Sequence, residues 1–149
     1  QKEDIMKRCP KCGREVYPSI STAILVLVRK EDSLLLVHAR NFKGTFNSLV
    51  AGFLETGETL EECVAREVKE ETGLDIAGCR YLFSIPNLYP YSGFEVHTVD
   101  MFFECLTESF DGAKAEDDAA EIIILPANQL NPDDFGLQSI KKAVDRYIK

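Results

Sequence analysis

An α/β fold, with a mixed β-sheet covered on both faces by helices, is the architecture this 149-residue sequence predicts. Two observations carry that expectation. Strand-like apolar runs recur at residues 21–29, 34–40, 48–51, 80–85, 94–106 and 121–125, while residues 60–72 and 137–148 switch to helical signals. The helices are interspersed among the strands rather than collected at one end, which suggests a sheet with a layer on each side.

The elements follow in order. After a polar start, the runs at 21–29 and 34–40 read as two strands joined by the turn-rich Lys30-Glu31-Asp32-Ser33, and 48–51 reads as a third. Thr59 followed three residues later by Glu62 is a capping box, so a helix should begin there. Glu61 and Glu62 suit the positive end of its dipole, and Gly73 stands where a left-handed C-terminal residue is needed. Val64, Ala65 and Val68 form a small apolar stripe by which the helix can dock. Residues 80–85 are expected as a strand, 86–93 as a loop and 94–106 as a long strand. A polar loop at 107–118 leads to a strand at 121–125. The closing helix at 137–148 repeats Ile140, Val144 and Ile148 every four residues.

Length allows one domain with a proper core, and 45% hydrophobic against 28% charged residues reads as soluble and globular. A net charge of −8 argues against nonspecific binding to nucleic acid or to an anionic membrane, so neither is expected as a partner. The longest apolar run, residues 23–28, is too short to span a bilayer or to form the core of a signal peptide, and a cytoplasmic location is the default expectation. Five cysteines without a regular framework fit a reducing compartment. The chain opens on Gln1 rather than methionine, which leaves room for further sequence upstream.

On a helix, Glu67, Glu70 and Glu71 stand at i, i+3 and i+4 and share one face. Three carboxylates so close repel one another unless a positive charge lies between them, and a hard divalent cation with oxygen ligands is the simplest candidate. Ahead of the helix, residues 52–58 form a short loop whose Gly52 and Gly57 permit backbone conformations closed to other residues. Gly52, five residues, Glu58, seven residues, then Arg66-Glu67-Val68-Lys69-Glu70-Glu71-Thr72-Gly73-Leu74 resembles the Nudix box at every fixed position. An amphipathic helix with a solvated acidic face is the blander alternative, and it leaves the loop glycines and Glu58 at their offsets without a reason.

The resemblance implies an α/β/α sandwich over residues 19–149, preceded by a knuckle-like segment at 1–18, and a pyrophosphohydrolase that cleaves a nucleoside diphosphate linked to another moiety. Carried over position by position, Glu67, Glu70 and Glu71 would be ligands of magnesium or manganese, with the Gly52 carbonyl as a further one. Arg66 would orient carboxylates through its bidentate fork, and Glu58 would support the loop or a metal-bound water. Metal-assisted attack of water at phosphorus needs no serine or cysteine nucleophile.

Two further regions bear on the substrate. Cys9-Pro10-Lys11-Cys12-Gly13 is a zinc-knuckle sequence that resembles the second half of the ribbon preceding the domain in NADH pyrophosphatases; the first half is absent. Cys9 and Cys12 are thus either free thiols in a knuckle-like turn or half of a zinc site completed from elsewhere. Ser84-Ile85-Pro86-Asn87-Leu88-Tyr89-Pro90 shares a serine and two prolines with that subgroup's motif but lacks its tryptophan. Tyr89, Tyr91 and Phe94 supply rings that either stack on a base or serve as core or dimer contacts, and a homodimer is what the resemblance implies. Of the acids Glu116, Asp117, Asp118 and Glu121, the last aligns best with the family's further acid, the alternative being a solvated acidic turn. His38 and His97 are isolated on strand-like runs and read as ordinary side chains. The expected substrate is a small nucleotide such as NADH or ADP-ribose. A house-cleaning hydrolase of nucleoside triphosphates and a non-catalytic nucleotide sensor are the alternatives, and retention of every box carboxylate favours chemistry.

Overall fold

The computed structural model describes residues 7–16, 19–41, 44–91, 94–114 and 121–149, and the side chains of 39–41, 44–46, 89–91 and 94 lie outside that description. A small hairpin, β1 (Lys7–Arg8) with β2 (Glu15–Val16), precedes the main sheet. That sheet orders β5 (Gly44–Ser48), β4 (Ser33–Asn41), β3 (Ile20–Lys30), β8 (Phe94–Leu106) and β7 (Gly78–Tyr91). Two more strands join off this path: β6 (Val50–Phe53) pairs with β3 and β9 (Glu121–Pro126) with β4. Strand β3 is parallel to β8 and antiparallel to β4 and β6, so the sheet is mixed as expected.

Alternation along the strands splits the interior into two layers. Ile24, Val26 and Val28 of β3 pack with Val50, Phe103, Cys105 and with Cys63, Val64 and Val68 of helix α1 (Leu60–Thr72). Ala23, Leu25 and Leu27 face the other way, toward Phe102, Leu34, Leu36 and Ile140, Ala143 and Val144 of helix α2 (Gln138–Tyr147). Each helix therefore covers one face, giving the α/β/α layering. Ile140 and Val144 are buried as the stripe predicts, whereas Ile148 caps the helix and is 46% exposed.

Two elements differ from the sequence reading, and one stretch without an expectation is filled in. The expected third strand is two strands, β5 and β6, separated at Leu49. Residues 86–91, expected as loop, continue β7 through Pro86 and Pro90. Proline lacks the N–H a central strand would need, but β7 ends the sheet order, and an edge strand tolerates the loss. Between β9 and α2 the chain makes two short 3-10 turns, Ala127–Gln129 and Pro132–Asp134, the second capped by Asn131 Oδ1 accepting from Asp133 N at 3.0 Å.

Candidate active site

Local chemistry fixes where α1 begins and ends. Thr59 Oγ1 accepts from Glu62 N at 3.1 Å while Glu62 Oε1 accepts from Thr59 N at 2.9 Å, the reciprocal box that the spacing predicts. Gly73 sits at φ 77°, and its N–H reaches Lys69 O at 2.9 Å. Thr72 Oγ1 adds a further bond from Leu74 N at 3.2 Å. A helix pinned at both ends holds its side chains in fixed register, and this one carries the acidic cluster.

At the centre of that cluster lies Arg66. Its Nε and Nη2 donate to the two oxygens of Glu58 at 2.6 and 3.0 Å, a bidentate fork across eight residues of sequence. Nη1 donates to Glu67 at 2.7 Å and to Glu70 at 3.2 Å, and Glu55 stands 3.3 Å from Nε. Nη2 also reaches the carbonyl of Phe53 at 3.2 Å, tying the guanidinium to the strand before the loop. The loop is held further by Glu55 N donating to Glu58 at 3.1 Å. One arginine thus knits loop, strand and helix together, and it is shared among more carboxylates than it can neutralise.

The electrostatics follow from that sharing. Hydrogen bonds from Arg66 hold the Glu58 carboxyl down at about 2. Burial pushes the Glu67 carboxyl upward, against the pull of Arg66 and with help from the neighbouring charges of Glu70 and Glu58. Arg66 is correspondingly held more firmly protonated, chiefly by Glu58. Cys63, buried beneath the cluster, is pushed up to about 12 by desolvation and by Glu58, so its thiol is inert.

Gly52 has a steric role. A Cβ there would overlap the Glu67 carboxylate, so Glu67 keeps its present place over the strand only because this residue lacks a side chain. Along β6, Leu54 N bonds Thr22 O on the β3 side at 3.0 Å, whereas Ala51 N points the other way and donates to Glu71 at 3.2 Å. A residue in an antiparallel strand directs its N–H and C=O to the same edge. The Gly52 carbonyl therefore belongs to the ladder with β3, and the carbonyl on Glu71's side is that of Ala51. The carbonyl expected from Gly52 thus moves one residue, because register rather than the motif decides which edge is free.

Glu67, Glu70, Glu71, Arg66, Glu58 and Gly52 are brought together; Glu121 is not. Ile123 and Leu125 pack in the α2 layer and Ile122 in the α1 layer, so the period of two turns Glu121 toward the α2 face. There it stands 3.8 Å from His38 Nδ1 and is 62% exposed. Glu116, Asp117 and Asp118 fall outside the described residues, as do the side chains of Tyr89, Tyr91 and Phe94. Among the described residues no three histidine, cysteine, aspartate or glutamate side chains form a preformed metal cage, and Arg66 stands among the carboxylates. Donor chemistry nevertheless fits a hard cation: the available groups are carboxylates and a carbonyl, all oxygen.

At the N-terminus, Cys9 and Cys12 sit in the turn joining β1 to β2, closed by Gly13 N donating to Cys9 O at 2.9 Å with Gly13 at φ 78°. Backbone N–H groups of Cys12 and Lys11 lower the Cys9 thiol. The turn would present both sulfurs to one ion; the other close cysteine pair among the described residues, Cys79 and Cys105, lies across β7 and β8 in the main sheet, and no group of three possible metal ligands forms.

Comparison with known proteins bears on the whole arrangement. The family model of the NUDIX domain matches residues 19–147. A curated relative, the NAD-capped RNA hydrolase NudC of Photobacterium profundum, is 48% identical over 82 residues, 55% of this chain and 31% of that protein. The protein of the same name from Salmonella agona is 40% identical over 123 residues, 82% of this chain and 41% of its own. This chain thus spans less than half the length of these relatives. Among solved structures, the dihydroneopterin triphosphate pyrophosphohydrolase of E. coli superposes with a TM-score of 0.70 at 18% identity, covering 85% of this chain and 94% of that one. The NUDIX domain of Shewanella oneidensis NrtR, complexed with ADP ribose, gives 0.67 at 14% identity, covering 95% and 92%. At such identities these two report the fold alone.

Proposed function

This chain belongs to the Nudix family, and from that premise we propose a metal-dependent pyrophosphohydrolase that cleaves the diphosphate of a nucleoside diphosphate linked to another moiety, NADH or ADP-ribose being examples. The observation that carries the reading is the surplus of carboxylates around one guanidinium, on a helix capped at both ends and against a glycine that a side chain would close. Glu67, Glu70, Glu71 and the Ala51 carbonyl would hold magnesium or manganese, which when bound neutralises diphosphate charge and acidifies water for attack at phosphorus.

The chain's own residues do the rest. Arg66 holds Glu58 and Glu67 in orientation through short charged bonds, and Glu58 fixes the loop over residues 55–58. Glu70 remains 46% exposed and open to the incoming diphosphate side of the helix. Water delivers the oxygen, so one phosphoric anhydride bond breaks and two phosphate monoester ends result.

The curated relatives are named for NAD-capped RNA, whose NAD moiety contains the same type of diphosphate on a larger molecule. A net charge of −8 weighs against a grip on the RNA backbone and favours small dinucleotides and nucleotide sugars. The test is incubation with magnesium and a panel of NADH, ADP-ribose, nucleotide sugars, nucleoside triphosphates and NAD-capped RNA, with phosphate-containing products measured. Turnover of a dinucleotide or nucleotide sugar supports the proposal. Turnover of triphosphates alone favours the house-cleaning reading, and binding without turnover favours a sensor. Because Glu121 faces the other layer, Glu121→Gln is expected to leave kcat largely unchanged; a steep fall would return it to the mechanism.

A further inference from the structure

On the α2 face the strands carry leucine, isoleucine and phenylalanine until they reach Ala23 and Ala51, whose small side chains leave a hollow. The hollow is a cleft of about 350 Å³ lined by Ala23, Leu25, Ala51, Phe53, Leu137 and, on one wall, Asn87, Thr98 and Asp100. Asp100 is only 4% exposed, although its cross-strand neighbours are Ile85 and Ala23. A carboxylate in such company is retained against its desolvation cost, and the active-site chemistry described above does not use it. Thr98, itself 4% exposed, donates from Oγ1 to Asp100 Oδ1 at 2.8 Å and fixes the carboxylate's orientation. Asn87 lies directly across from Thr98 on β7.

The cleft adjoins the acidic cluster. Ala51 is at once part of its floor and the residue whose outward N–H meets Glu71 at the free edge of β6. A ligand seated over Ala51 can therefore pass its diphosphate around that edge to Glu71. The end of the substrate that enters the cleft is not the phosphate, whose oxygens would meet the acceptor oxygens of Asp100 with no cationic side chain lining the cleft between them. Apolar walls from Leu25, Leu137 and Phe53 suit the faces of a planar ring, and a cleft of this size suits a nucleobase. A fixed carboxylate accepts hydrogen bonds and donates none, so it selects a ring edge that donates.

We propose that Asp100, oriented by Thr98, is the specificity-determining residue of this site and reads the exocyclic amino group of the substrate's nucleobase. The inference rests on the pyrophosphohydrolase reading, and it makes a separate claim about which base is accepted. An oxo group in place of the amine sets two acceptors face to face, a loss that the N1–H gained beside it offsets only in part because Thr98 fixes the carboxylate's aim.

ADP-ribose and its inosine counterpart differ in the amino versus oxo group at the base, and they are the probes. With magnesium present, the wild-type protein is expected to prefer ADP-ribose at least about tenfold in kcat/KM, mostly through KM. Asp100→Asn keeps the size and adds a donor that can meet the oxo group, so the preference should collapse toward parity or invert. Thr98→Val frees the carboxylate's orientation and should weaken the preference less. Merely structural damage would lower both substrates together and leave their ratio intact. Calorimetric binding of AMP against IMP repeats the comparison without turnover. If neither nucleotide sugar is hydrolysed but the AMP preference is present and moves with Asp100, the hydrolase reading fails and this one stands. If hydrolysis proceeds and the amino-to-oxo ratio is flat in the wild type, or unchanged in Asp100→Asn and Thr98→Val, the role assigned to Asp100 is wrong.

Discussion

Two arginines in this protein sit among acids, and they are balanced very differently. Arg66 faces Glu58, Glu67, Glu70 and Glu55 within 3.3 Å, with Glu71 close by on the same helix face. Arg29, toward the far end of β3, donates to the hydroxyl of Tyr147 at 2.5 Å, and that hydroxyl donates on to Glu104. Glu104 also takes Arg80 at 3.0 Å and lies 3.6 Å from Arg29, so two guanidiniums meet one carboxylate that is mostly covered. Burial would raise Glu104, yet the bonds from Tyr147 and Arg80 and the charge of Arg29 hold it below its ordinary value. With Asp32 standing 3.5 Å from Arg29, two acids meet two arginines, so the second network is near neutral, and it joins α2 to the sheet. The first has negative charge left over. A deficit of that kind on a rigid frame is a demand for a cation, whereas a closed network is a brace. Cleft size does not separate them: the larger opening, about 640 Å³, lies beside the brace.

The sharpest way to break the contrast is to remove charge from the first region. Glu70→Gln and Glu71→Gln are expected to cut metal-dependent turnover more than ~100-fold, beyond the cost of losing a supporting partner of a ligand, with the circular dichroism of the fold unchanged. Surviving activity would show that the surplus is not the metal site. Next in size, Arg66→Lys keeps the charge but cannot make the fork to Glu58 or reach Glu67 at the same time. Turnover should fall by roughly 10- to 100-fold, as for other residues that orient ligands, and steady-state kinetics should place the loss mainly in kcat.

The second region should answer in stability alone. Tyr147→Phe removes the hydroxyl that links Arg29 to Glu104 and is expected to cost about 1–3 kcal/mol, read from urea denaturation, with kcat and KM unaltered. A loss of activity there would erase the distinction between brace and site. The smallest effect concerns pH. Glu58 is held at about 2 in the folded protein against 4.5 ordinarily, so its contribution to stability is present above 4.5 and is lost as pH falls toward 2. Denaturation midpoints of the metal-free protein should fall across that window, and less steeply in Glu58→Gln.

How much of this was legible in the sequence differs by the range of the signal. Helix α1 was readable because Thr59, Glu62 and Gly73 act within a few residues of one another, and Arg66 could be expected to mediate because its partners share the box. The continuation of β7 through Pro86 and Pro90 was not, since only the strand's place at the sheet edge makes prolines tolerable there. Ala51 was missed for a similar reason: which carbonyl is free depends on the pairing of β6 with β3, and the motif begins one residue later. Glu121 was expected with the cluster on alignment, and alternation along β9 turns it to the opposite layer. Asp100 gave no local sign at all, because a single acid in a strand ordinarily faces solvent. Only its place between β3 and β7 buries it.

Manganese binding followed by electron paramagnetic resonance tests the central contrast most directly, with wild-type protein, Glu71→Gln and Glu104→Gln titrated side by side. A saturable site is expected in the wild type, lost in Glu71→Gln and retained in Glu104→Gln. Undiminished binding in folded Glu71→Gln, or its loss in folded Glu104→Gln, would contradict that contrast.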